Sequence, residues 1–218
     1  GTARRFGEEV MEGNIAWILI STALVLFMVP GLALFYGGMV RAKNALNMLN
    51  MNMWCLGIVP IVWVLVGYSL AAGDSGNRFI GDFSLVGMKG IHDANALATF
   101  AFLMTFAAIT PALISGAVAD RMKFSAWMLF VPLWSLLVYV PVVYWVYGGS
   151  GWIHDLPALD FAGGTAIHVN AGAAALALVL VLGRRTGWPQ NRPAPHNIPF
   201  VMLGAGILWF GWVGFNAG

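Results

Sequence analysis

The sequence predicts an all-α polytopic membrane protein with six transmembrane helices. Three observations carry that reading: 60% of the 218 residues are apolar, 9% are charged, and mean hydropathy is +0.79. A globular domain carries roughly a quarter charged residues, so this chain has too few to coat a water-soluble surface. The charges form no block and sum to +2, which excludes a disordered chain and a nucleic-acid binder. Cys55 is the single cysteine, so no disulfide framework forms within the chain.

The elements follow from apolar runs of about 20 residues, the length that crosses a hydrocarbon core of about 30 Å at 1.5 Å per residue. They fall at 15–36, 46–72, 94–119, 124–147, 161–182 and 198–215. Membrane strands would instead alternate over segments of about 10 residues. Residues 1–14 read as a polar external tail ahead of a membrane domain over 15–218. The first run is too long for a cleaved signal, and Arg41 and Lys43 follow it as a stop-transfer flank. Pro30, Pro60, Pro111, Pro132 and Pro141 mark kinks, as in helices bent around a path.

The connections set the orientation. Arg41, Lys43, Arg121, Lys123, Arg184, Arg185 and Arg192 lie in the first, third and fifth connections, against one acid, Asp120. The tail and the other two loops hold Arg4, Arg5, Arg78 and Lys89 with the other eight acids. The N-terminus is therefore expected outside.

Within the predicted spans the only ionisable groups are His168 and, at the mouth of the fifth, Asp160. Intramembrane ionisable residues are costly, so His168 reads as functional. Asp160 precedes an apolar helix, which suits an N-cap accepting the first-turn amides, and a carboxylate there also favours a waiting cation. If the helix runs unbroken between them, His168 lies about 12 Å deeper. Gly163, Gly164, Ala171 and Gly172 would allow close helix packing. Phe102 and Phe106 share a helix face at i, i+4. Leu34-Phe35-Tyr36-Gly37 and Leu208-Trp209-Phe210-Gly211 are similar segments on spans of opposite direction, the mark of an inverted-topology repeat whose second half would open with the sixth span and lie beyond Gly218.

Asp160-Phe161-Ala162-Gly163-Gly164-Thr165-Ala166-Ile167-His168 resembles the signature of the Amt/Mep/Rh ammonium transporters, Amt branch. So do Val29-Pro30-Gly31-Leu32-Ala33-Leu34-Phe35-Tyr36-Gly37-Gly38 with Arg41 and Lys43-Asn44, Phe106-Ala107-Ala108-Ile109-Thr110, and Gly211-Trp212-Val213-Gly214-Phe215-Asn216-Ala217-Gly218. The resemblance implies the first half of an eleven-helix inverted-repeat fold assembled as a homotrimer, one pore per subunit. It implies ammonium, or methylammonium, as cargo, and allows a cytoplasmic regulator of the PII type. Asp160 then matches the acid that shapes the outer recruitment region, and His168 the first of two pore histidines. Phe106 and Phe215 match a paired aromatic gate with Phe102 one turn away, while Phe35, Tyr36 and Leu208 line the lumen. Tyr147-Gly148-Gly149 departs from the family's usual Trp, leaving a ring that faces a cation less strongly. The recruitment serine and second histidine would lie past Gly218.

The chemistry agrees with that implication. Cation–π contacts supply about 0.5 to 2 kcal/mol each, whereas an ion in a dry lumen costs at least several kcal/mol. Two or three rings cannot carry an intact cation, so the arithmetic favours deprotonation at the mouth, neutral ammonia through the apolar section, and a separate proton relay through His168. Potassium has no proton to lose. An ammonium sensor is the alternative reading. An intramembrane serine protease is a remote one, resting on Gly148-Gly149-Ser150-Gly151 with His168 as base. His92, His154 and His196 lack metal-ligand spacing, and no phosphate loop or dinucleotide fingerprint is present, so neither metal nor cofactor is expected.

Overall fold

A computed structural model describes residues 2–156, 158–185, 187–190 and 194–218, with only the backbone of 2–10; Arg192, one of the seven basic residues above, and the side chains of Arg4, Arg5, Glu8 and Glu9 lie outside the described residues. Among the described residues there is no strand. Six helices are long and apolar enough to cross a membrane. We label them α1 (Thr2–Met39), α2 (Ala42–Ala72), α3 (Ala94–Ser115), α4 (Phe124–Tyr147), α5 (Gly164–Leu182) and α6 (Ile198–Ala217).

The ends differ from the sequence expectation for physical reasons. Backbone helix runs through the expected tail from Thr2, where Ala3, Arg4, Arg5, Glu8, Glu9, Met11 and Glu12 are helix formers that outweigh Gly7 and Gly13. α3 stops at Ser115 rather than at 119 because a tight turn follows, with Asp120 in left-handed conformation at φ 65°. α5 starts at Gly164 rather than at 161 because Gly163, at φ 79°, breaks the helical path. Asp93 and Asn197 cap α3 and α6 as acceptors from Ala96 (3.0 Å) and Phe200 (3.0 Å).

Two of the expected kinks carry π turns. The Tyr68 amide returns to the Trp63 carbonyl and the Val140 amide to the Ser135 carbonyl, each spanning five residues. Pro60 and Pro132 stand three residues ahead of those turns, where a proline removes an N–H donor and crowds the preceding carbonyls. The two turns face each other, with Trp63 and Tyr139 ring centroids 6.3 Å apart.

α1 and α6 run antiparallel and form the tightest pair. A Cβ on Gly204 would stand 2.4 Å from the Phe35 nitrogen and 2.6 Å from the Gly31 carbonyl, and one on Gly38 2.5 Å from the Asn197 carbonyl. With no hydrophobic drive between helices in lipid, this close approach supplies the dispersion contact that holds them. The paired Leu-aromatic-aromatic-Gly segments thus sit on antiparallel neighbours. Gly164 and Gly172, by contrast, pack against no neighbouring helix among the described residues: a Cβ on Gly172 meets nothing within 4 Å, and one on Gly164 meets only Asp160. α3 is the central helix, its buried face running from Thr105 to Ala112 without interruption.

The loops gather at two ends. At one, Asp120 accepts from Asn44 and pairs with Arg41 (3.5 Å) and Arg185 (4.0 Å), while Arg121 donates to the Gly183 carbonyl (2.7 Å). At the other, Tyr144 donates to the Asn77 carbonyl (2.8 Å), Trp145 to the Phe79 carbonyl (2.7 Å), and Arg78 pairs with Asp155 (3.0 Å). Asp160 lies at this second end, in the connection that follows α4.

Candidate substrate pore

Asp160 organises the start of α5. Its Oδ1 accepts the Gly164 amide (2.7 Å), and its Oδ2 accepts those of Thr165 (2.8 Å) and Ala166 (3.0 Å). It therefore serves as the expected acceptor of first-turn amides, although it stands three residues outside the conventional cap position. That position belongs to Gly163, whose left-handed backbone packs on Ile167 and leaves no room for a side chain. Burial pushes the Asp160 carboxyl up. The amides of Ala166 and Thr165, the Tyr147 hydroxyl and the Gly164 amide together outweigh it and hold the group below the ordinary carboxylate range.

His168 follows on a third π turn: its amide and that of Ile167 both return to the Gly163 carbonyl (3.0 and 2.9 Å). Helix begins only at Gly164, so no unbroken helix joins Asp160 to His168 and the roughly 12 Å helical rise expected between them does not apply. The widened turn places Ile167 inward, 2% exposed, and His168 and Val169 on an open face.

The aromatic residues meet as a stack between two cavities. Phe102 packs edge-on against Phe106 at 4.7 Å, Phe106 against Phe215 at 4.5 Å, and the His168 ring lies 5.7 Å from Phe215. Phe106 and Phe215 are 6% and 3% exposed. Thr105 and Thr110 donate to the carbonyls of Phe102 (2.7 Å) and Phe106 (2.6 Å), keeping their hydroxyls satisfied beside the stack.

On the Asp160 side of the pair is a hollow of about 70 Å³ walled by Phe102, Phe106, Tyr147, Phe161 and Phe215. On the other side is an apolar cavity of about 470 Å³ lined by Phe35, Tyr36, His168, Leu208 and Phe215. The hollow and the cavity between them hold all the sequence-derived residues except Asp160, which lines neither and stands beside the hollow on the amides of Gly164 to Ala166. The sequence did not point to Trp63, Tyr139 and Asn216 in the hollow, or Met28, Leu32 and Trp212 in the cavity. Trp63 and Tyr139 reach it through the π turns, which no spacing rule reveals. Trp212 could have been found from its place three residues before Phe215, one helical turn away.

Ser150 lies 3.5 Å from Asp74 in the loop after α4, while His168 packs on Phe215, so the two are not assembled as nucleophile and base. Among the described residues no three His, Cys, Asp or Glu side chains are close enough to share a metal.

Residues 16–218 match the profile of the Ammonium Transporter Family. An ammonium transporter of Mycobacterium tuberculosis is 51% identical over 94% of this chain and 50% of its own length, and one of Aquifex aeolicus 53% identical over 94% and 50%. Among solved structures, Saccharomyces cerevisiae Mep2 superposes with a TM-score of 0.84 at 35% identity, over 94% of this chain and 48% of that one. A protein described as a sensor Amt protein gives 0.87 at 28% identity, over 93% and 53%. The chain spans about half the length of the curated relatives it matches.

Proposed function

The chain belongs to the ammonium transporter family, and from that membership we propose that it forms the wall of a pore that recruits ammonium, strips a proton from it and conducts ammonia. The observation that carries this reading is the Phe106–Phe215 pair, which separates the aromatic hollow beside Asp160 from the apolar cavity that holds His168. The hollow offers ring faces to a cation, with the Asp160 carboxylate held nearby on the amides of Gly164 to Ala166. The cavity offers almost nothing polar except the imidazole, so a neutral molecule passes where an ion is refused. His168 sits directly behind the gate, where an imidazole, able to accept a proton at one nitrogen while donating at the other, takes up or relays the released proton.

The wall opposite His168 is completed, on this reading, by further helices of the inverted-repeat architecture, and the assembly is a homotrimer in the plasma membrane. The basic end faces the cytoplasm and the Asp160 end faces outside, as the positive-inside rule requires. Lys43, Lys123 and Arg184 at the basic end also suit an acidic regulator of the PII type. Replacing His168 by Ala in the intact protein is expected to lower the ammonium-evoked current by roughly two orders of magnitude, the usual weight of a proton-transfer group. Unchanged current with unchanged ammonium-over-potassium selectivity would overturn the proton-relay role. A second reading, an ammonium sensor, is favoured by the likeness to the sensor Amt protein. It predicts ammonium binding without measurable flux.

A further inference from the structure

α1 and α6 meet along a seam of small and apolar residues. Gly211 packs on Met28, and a Cβ on Gly214 would stand 2.9 Å from the Ser21 Cα and from the Leu24 Cβ. Such a seam is held by dispersion, which sets how closely the helices approach but does little to stop one swinging against the other. Hydrogen bonds join the two only at the ends. At the inner end the chain entering α6 is tied to the end of α1: the Asn197 amide donates to the Gly38 carbonyl (3.1 Å), and the His196 Nδ1 lies 2.9 Å from the Val40 carbonyl. At the outer end the Trp17 indole N–H donates to the Ala217 carbonyl (2.6 Å). Among the described residues no other hydrogen bond crosses this seam.

Ala217 stands two residues from Phe215, the α6 half of the aromatic pair. The other half, Phe106, is held on the central helix, where the Thr110 hydroxyl donates to its carbonyl (2.6 Å). Phe215 therefore depends on where the outer end of α6 stands. Tied at its inner end, α6 acts as a lever of 20 residues. At 1.5 Å per residue that lever is about 30 Å long, so a small swing displaces Phe215 much further than Asn197. Resting on the gate reading above, we propose that Trp17 is a positioning residue whose indole pins the outer end of α6 to α1 and so keeps the Phe215 ring on Phe106, with centroids 4.5 Å apart. Without the pin α6 swings more often, the pair parts more often, and wider cargo passes. Trp17 is 41% exposed, so replacing it leaves the core in place.

The test reads the ratio of methylammonium to ammonium flux in wild type, Trp17→Phe and Trp17→Arg, using the intact protein in liposomes. The Phe variant keeps a ring and loses the N–H, whereas the Arg variant loses the indole and keeps N–H donors on a long side chain. Both cargoes carry one positive charge, so the ratio is insensitive to the charge of the arginine. Trp17→Phe is expected to raise the ratio about fivefold, the weight of one neutral hydrogen bond biasing the closed pair. Trp17→Arg should stay within about twofold of wild type on the same scale. An unchanged ratio in the Phe variant overturns the proposal and leaves Trp17 as an interfacial anchor only. An equal rise in both variants also overturns it, since ring packing rather than the bond would then hold α6. So does a parallel loss of both fluxes at an unchanged ratio, the signature of a merely structural role. Absence of ammonium flux in the wild type instead overturns the gate reading on which the proposal rests.

Discussion

Asp160 shows how one side chain sets several properties of the site. Its three amide partners fix the turn on which His168 rides, so in the proposed pore the acid acts through backbone geometry as well as through charge. Asp160→Ala leaves those amides without an acceptor and is expected to cost about 2 kcal/mol of stability, read as a lowered Tm in detergent, together with most of the ammonium flux. Because the folded carboxyl is held below its unfolded value, its stabilisation is full above the ordinary carboxylate range. That contribution fades as pH falls through about 3.9 toward the depressed folded value. Wild type should therefore lose stability over that acidic window, and the Ala variant should show a flatter profile there. An equal slope in both would refute the linkage. The candidate residues were legible in the sequence because they are local: Asp160 and His168 stand out as ionisable groups in apolar surroundings, and Phe102 and Phe106 as an i, i+4 pair. The hollow itself was not, since its walls come from segments far apart in the chain, Trp63, Phe102, Tyr139 and Phe215 among them.

At the scale of elements, the spans were legible from apolar run length alone to within about four residues, except at the start of α1, where helix begins at Thr2 rather than at 15; α2 begins four residues early, and α3 ends four residues short. Run length cannot see a turn made of small and apolar residues such as Gly116 to Ala119, so the sequence reading carried α3 too far. Nor can it see π turns, which change side-chain register without changing composition. The α1–α6 contact was hinted at by the repeated aromatic-Gly segments, but Gly204 and Gly31 became informative only once their backbones were seen to touch. That contact makes a sharp comparison possible inside one helix. A side chain at Gly204 must displace backbone, and Gly204→Val is expected to cost roughly 2 to 4 kcal/mol or to prevent accumulation of folded protein. Gly206, two residues away, has open space around its would-be Cβ, so Gly206→Ala should be neutral or stabilising by up to about 1 kcal/mol. Thermal unfolding of the two purified variants checks the pair. Similar losses in both would mean that the α1–α6 approach does not hold the fold.

For the whole molecule the question is how so few charges fix both topology and shape. At the basic end a single acid, Asp120, with its side chain 5% exposed, is shared by Arg41 and Arg185 from two other connections. Charges on which the proposed orientation rests are thus also ones that clasp the loops together. Asp120 sits at φ 65°, a conformation that Asn adopts readily, so Asp120→Asn removes the charge while sparing the backbone. Both arginines are substantially exposed, 47% and 37%, and solvent screens the pairs, so a loss of only about 1 kcal/mol is expected in Tm measurements. Orientation itself is set by where Lys43 and Asn77 lie, at opposite ends of the bundle. Cys55 is the single cysteine and is fully buried, so it does not compete for a water-soluble maleimide. In intact cells Asn77→Cys should react with an impermeant maleimide and Lys43→Cys should react only after the membrane is opened. The reverse pattern would turn the molecule over and place Asp160, the Tyr147 hydroxyl and the aromatic hollow on the cytoplasmic side. The same stack of rings and imidazole would then receive ammonium from inside the cell, and external recruitment would have to be abandoned even though every distance in the pore stayed the same.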